Sequence, residues 1–159
     1  MVKPWFLVLT GGLIAGTLDI LYAIVFWAIK SGAPPQRILQ SVAAGLLGDT
    51  SFTGAWATAA LGLALQFVIA LSMATSYYIV ARRWAALWQR ALLFGAAYGL
   101  VLYGIMNYVV VPLSAARPGS KDPLWIGLSI AVHMVFVGIP CAVFARRAIL
   151  ADLRTPVHA

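Results

Sequence analysis

Apolar residues dominate four long stretches of the chain, at approximately 5–29, 56–81, 90–113 and 124–146. The charged residues, Asp19 excepted, lie between these stretches or at their ends. Each stretch exceeds the roughly 20 residues that an α-helix needs to cross the hydrocarbon layer of a bilayer. The pattern predicts an all-α polytopic membrane protein, a four-transmembrane-helix bundle forming a single integral membrane domain over residues 1–159.

The links between the stretches differ. The segment ARRWAALWQR is short, which makes the second and third helices antiparallel neighbours. The connection SGAPPQRILQSVAAGLLGDTSFTG is longer, and in it Pro34 and Pro35 precede a helix-compatible run from Gln36 to Leu47. Proline suits a helix start, and the run is too short to span. A short interfacial or re-entrant helix is expected at approximately 35–48, with Ile38, Leu39, Val42, Leu46 and Leu47 as its apolar face. Aromatic residues mark two levels, Trp5, Tyr77, Tyr78, Trp84 and Trp88 at one and Trp27, Trp56, Tyr108 and Trp125 at the other, as in headgroup belts.

Composition agrees with the pattern. The 159 residues are 63% hydrophobic and only 9% charged, against roughly 25% charged in a soluble domain. A net charge of +7 would suit nucleic acid, but the basic residues cluster at segment ends and read as a topology signal. The expected surroundings are therefore a lipid bilayer, with no nucleic-acid partner. Of the 11 basic residues, Lys3, Arg82, Arg83, Arg90, Arg146, Arg147 and Arg154 fall on one side, and Lys30, Arg37, Arg117 and Lys121 on the other. That bias places both termini in the cytoplasm. The first stretch is longer than the roughly 7–15 apolar residues of a signal peptide and is expected to be a retained helix. The single Cys141 reads as a small apolar packing residue.

Asp19 raises the functional question, because an acidic residue at the centre of a membrane helix costs about 2.5–3.5 kcal/mol on insertion scales. Gly12 and Gly16 lie within roughly 60° of it around the helix, and small residues permit close helix contact. Asp19 is therefore expected to face protein. With a rise of about 1.5 Å per residue, Asp19, Gln66 and His133 fall roughly 14–17 Å from the outer ends of their helices. Tyr103 lies at a similar level, and Asn107 about one turn nearer the outside.

Helix faces extend this layer. Gly62, Gln66, Ala70 and Met73 form one stripe, Gly95, Gly99, Tyr103 and Asn107 another, and Ser129 shares the face of His133. Pro140 removes a backbone donor and is a candidate hinge. The candidate proton- or substrate-binding residues are Asp19 and His133 as a coupled ionisable pair, with Gln66, Tyr103, Asn107 and Ser129 as polar liners. Gly12, Gly16, Gly62, Gly95 and Gly99 are read as helix-packing positions. The same polar side chains can also act as interhelical hydrogen-bond glue, at about 0.6 kcal/mol each.

Other chemistry is weaker. Ser129, His133 and Asp19 include the residue types of a nucleophile, base and orienter, but no nucleophile elbow or oxyanion loop accompanies them. An intramembrane hydrolase is thus a minor alternative. His133 and Cys141 are about 12 Å apart along their helix, and His158 lies in the terminal tail, so no metal ligand set and no cofactor is expected. The leading expectation is a non-enzymatic membrane protein that handles or senses protons or a small solute. Its main alternative is an accessory or scaffolding protein that binds lipid or a partner membrane protein.

Ala-Arg-Arg recurs at residues 81–83 and 145–147, and Gly-x-x-x-Gly at Gly12/Gly16 and Gly95/Gly99, a pattern suggesting two helical hairpins of like orientation. The glycine-bearing faces are expected to support a homo-oligomer, a dimer or larger. The opening GGLIAG, the third helix with Asn107 leading to VVVPLSA, and the fourth ending in FARRA carry a resemblance. In these the chain resembles small uncharacterised bacterial four-helix inner-membrane proteins and, more distantly, the YagU-like family. The resemblance implies a bacterial inner-membrane location and, through the YagU-like family, an association with acid resistance. The long hydrophilic insertion expected between the first two helices of that family is missing from this chain.

Overall fold

The computed structural model describes residues 3–153. Arg154, used above for orientation, and His158 lie outside the described residues. Among the described residues the secondary structure is helical, with no strand. In chain order the helices are α1 (Pro4–Ser31), α2 (Pro35–Leu47), α3 (Ala55–Arg83), a short α4 (Ala85–Gln89), α5 (Ala91–Leu113) and α6 (Pro123–Leu153). Helices α1, α3, α5 and α6 are long and apolar enough to cross a membrane.

Local chemistry sets the helix ends. Pro4, Pro35 and Pro123 open α1, α2 and α6, where the missing N–H of proline has no helical partner to lose. Asp122 caps α6, its Oδ1 accepting from the N–H groups of Leu124 at 2.9 Å and Trp125 at 3.1 Å. Gly32 closes α1 in the left-handed region at φ +66°, donating its N–H to the Ala28 carbonyl. The end of α6 differs from the end of the apolar stretch near 146. Arg146 and Arg147 interrupt the hydropathy pattern but are good helix formers, so the helix continues to Leu153.

Packing divides the molecule into two unlike halves. Towards the Lys3 end, α1, α3, α5 and α6 meet in a dry core of Val8, Ala74, Tyr78, Ala81, Ala145 and Ala148, with their neighbours. Alanine dominates there because small side chains let apolar helices approach closely. Cys141 lies in this core, 1% exposed. Tyr77 and Tyr78 also belong to it and not to an aromatic belt. Both are buried, and the Tyr77 hydroxyl donates to the Leu87 carbonyl at 2.9 Å. A tyrosine hydroxyl usually finds such a partner when the ring is buried.

The glycines are used inside the chain. A methyl group at Gly12 or Gly16 would press on Leu71, Ala70 and Phe67 of α3, and one at Gly11 would meet Phe144 of α6. Gly95 and Gly99 lie directly on the backbone of α6, around His133, Gly138 and Ile139. Gly62 meets the Leu39 carbonyl of α2 and not another long helix. The five predicted packing glycines thus seat helices of the same chain against one another.

Two π-helical turns interrupt the long helices, Met106–Val110 in α5 and His133–Gly138 in α6. Each lies just before a proline, Pro112 or Pro140. Proline lacks the N–H that would bond four residues back and its ring crowds that carbonyl, so the preceding turn widens. The candidate hinge at Pro140 therefore takes the form of a wide turn that carries His133.

Candidate functional site

The second half of the molecule is hollow. Two adjoining cavities, of about 280 and 560 Å³, share Asp19, Ser41, Gln66, Asn107 and His133 in their walls and form one chamber. The smaller reaches down to Ala70, Met73 and Val137 beside the dry core. The larger extends towards Trp27, Arg37 and Arg117, beyond the ends of α1 and α5.

Three helices supply the polar wall between them. From α3, the Gln66 amide donates to Asp19 Oδ2 at 2.9 Å and, through the same nitrogen, to the Gly16 carbonyl at 3.3 Å. From α6, His133 Nδ1 lies 2.9 Å from the Ser129 carbonyl and 3.9 Å from Asp19 Oδ1. A carbonyl oxygen only accepts, so Nδ1 carries the hydrogen and Nε2 is the free acceptor of the neutral ring. When His133 is protonated, the 3.9 Å approach becomes an ion pair with Asp19. The π turn begins at His133, so the ring is carried on the widened part of the helix.

The other predicted liners take distinct positions. Tyr103 is buried and does not line the chamber. It sets its ring at 84° to the His133 imidazole, centroids 5.5 Å apart, and so braces the imidazole. Asn107 does line the chamber, but its amide donates back to the Tyr103 carbonyl at 2.9 Å, across the start of the α5 π turn. Ser129 is buried, and its hydroxyl pairs with Tyr22 Oη at 3.3 Å. The distance between Ser129 and His133 that matters here is the backbone contact, not a hydroxyl-to-imidazole bond. Among the described residues, no three His, Cys, Asp or Glu side chains come together.

Sequence reasoning passed over several contributors. Tyr22, three residues after Asp19 and on the same helix face, stacks on Trp125 with centroids 5.3 Å apart and 10° between planes. Trp27 joins this cluster, so Trp27 and Trp125 form a wall of the chamber. The spacing of Tyr22 from Asp19 carried the signal, but a tyrosine in an apolar run reads as hydrophobic filler. Helix α2 was expected to present Ile38, Leu39, Val42, Leu46 and Leu47 as one apolar face. Instead Ile38 and Val42 face the chamber, while Leu46 and Leu47 are exposed. The face against α3 is Gln40, Ala43 and Ala44, with the Gln40 amide donating to the Ala55 carbonyl at 2.9 Å and to Thr58 Oγ1 at 3.2 Å.

Helix α2 thus covers the chamber, held at its far end by two further contacts. The Ala115 N–H donates to the Gly45 carbonyl at 3.1 Å. Arg117 grips Asp49 through Nε at 2.7 Å and Nη2 at 2.9 Å. The Arg117 guanidinium holds the Asp49 carboxyl below its ordinary value of 3.8. Lys30 likewise pairs with Asp122 and, with the α6 N-terminal amides, lowers that carboxyl.

No protein-family model, curated protein or solved structure matches this chain.

Proposed function

We propose that the chain is an integral protein of a bacterial inner membrane, crossed by α1, α3, α5 and α6 with both termini in the cytoplasm, and that its chamber handles protons, alone or with a small solute. The supporting observation is the convergence of Asp19, Gln66 and His133, from three helices, on one wall of a chamber large enough for water. An ionisable group inside a membrane is expensive unless it has a partner or a hydrated cavity, and this site offers partners together with space that water can fill.

The chemistry follows from the assigned hydrogens. His133 Nε2 takes a proton from the chamber, and the resulting charge is balanced by Asp19. Gln66 keeps Asp19 Oδ2 in place, so the carboxylate holds its position while the imidazole changes charge. Tyr103 holds the ring against rotation. No covalent step is involved, and the reading is non-enzymatic.

The contacts of Gln66 and His133 to the backbones of α1 and α6 favour a second reading, in which the layer only keeps helices in register and the protein serves as a scaffold for lipid or another membrane protein. Proteoliposomes with an internal pH dye separate the two. Asp19→Asn and His133→Ala are expected to lower pH-driven proton flux at least tenfold while the thermal melting of the purified protein changes little. Unchanged flux together with a large drop in melting temperature would establish the register reading instead.

A further inference from the structure

The larger cavity has walls for which proton handling alone has no use. At about 560 Å³ it falls within the usual range for small-molecule sites, roughly 300–1,000 Å³, and like them it is mainly apolar and aromatic with a few polar groups. One wall is the stacked pair Tyr22 and Trp125. Opposite, α2 presents Arg37, Ile38, Ser41 and Val42, whose spacing puts them on a single helix face.

Charge selects the ligand. Two of the basic residues at this end are neutralised, Lys30 by Asp122 and Arg117 by Asp49. Arg37 lines the cavity and has no carboxylate partner among the described residues. Its guanidinium lies 5.0 Å from the centre of the Phe52 ring, a contact that positions the group without cancelling its charge. Asp19 lies at the inner end, where it repels a second anion. The cavity therefore offers one free positive charge outside, an apolar and aromatic body, and a negative group inside.

We propose that this cavity binds an organic monoanion with an apolar body, its anionic group on Arg37 and its body between the Tyr22–Trp125 stack and Ile38 with Val42. This rests on the reading of the chamber as a functional site and names the class of solute it takes. An organic cation fits poorly, because it must pass Arg37 and compete with Gln66 for Asp19. The anion is either a free carboxylate or the acidic headgroup of a lipid, since both offer the same chemistry to a guanidinium.

Benzoate is the simplest probe, measured by titration calorimetry on the full chain in phosphatidylcholine nanodiscs, with benzylamine and benzyl alcohol as charge controls. Benzoate is expected to bind at least tenfold more tightly than either control. Arg37→Gln is expected to remove that preference, and Val42→Trp to abolish binding by filling the cavity, both with unchanged melting temperatures. Equal binding of benzylamine, or benzoate affinity unaffected by Arg37→Gln, would overturn the proposal. Adding phosphatidylglycerol assigns the source: competition with benzoate marks a lipid headgroup site, and no competition marks a soluble carboxylate site. An infrared titration of Asp19 and His133 in the same samples keeps the two readings apart. A carboxyl or imidazole signal that responds to pH without benzoate binding removes the anion site alone, and Arg37-dependent benzoate binding without either signal removes proton handling alone.

Discussion

His133 is where it is because Gly99 has no side chain. The α6 backbone at His133 and Met134 lies so close to Gly99 that a methyl group there would overlap the His133 carbonyl. Gly99→Ala is therefore expected to destabilise the protein by about 1–3 kcal/mol, as overpacked sites do, and to change the approach of His133 to Asp19 by moving the imidazole. Gly104 is the control, because nothing lies within 4 Å of a methyl group at that position. Gly104→Ala is expected to be neutral or to stabilise by up to about 1 kcal/mol through helix propensity. Thermal unfolding of the two variants in one detergent checks the contrast. Sequence spacing singled out Gly99 as a packing position, but it did not single out Gly138, which lies as close to the α5 backbone, or Gly11, which abuts Phe144. A four-residue repeat identifies a face, whereas close approach depends on how neighbouring helices are turned.

At the level of the element, α2 combines a fixed face with a breakable end. Gln40 anchors it to α3, while the exposed Arg117–Asp49 pair holds the chain beyond its C-terminus. The carboxyl of Asp49 is depressed below 3.8 in the folded protein by Arg117. Its contribution is thus complete above that value and is lost as pH falls through the lower folded value. The latch stays closed at neutral pH, so a pH response near neutrality belongs to the chamber and not to the latch. Hydrogen exchange of the Gln36–Leu47 amides tests this, corrected for intrinsic rates. Protection is expected to fall several-fold in Asp49→Asn at neutral pH, and in the parent only below pH 3.8. A loss of protection in the parent around neutral pH would assign the sensing step to α2. The existence of α2 was legible from Pro34, Pro35 and the run that follows. Its rotation was not, because Ile38 and Leu46 look alike in sequence, and only the position of α3 and the chamber distinguishes them.

Across the whole molecule, a dry alanine-rich half and a hollow polar half lie in series along the same four long helices. The proposed orientation turns the dry half, with Lys3 and Arg82, to the cytoplasm and the mouth beside Arg37 outwards. In a Cys141→Ala background, an impermeant maleimide added to intact cells is expected to label Ala115→Cys and to label Ala86→Cys only after permeabilisation. Both positions are exposed in the fold, so the reverse pattern would invert the orientation. By itself the sequence determined the number of long helices and the common depth of Asp19, Gln66 and His133. Twenty or more apolar residues and a fixed rise per residue suffice for that. Only the tertiary structure decided that Tyr103 braces the imidazole, that Tyr22 and Trp125 make a wall, and that α2 covers a chamber. Periodicity sets the phase of side chains within one helix but not its rotation against another, and a cavity is the volume that several such rotations leave unfilled.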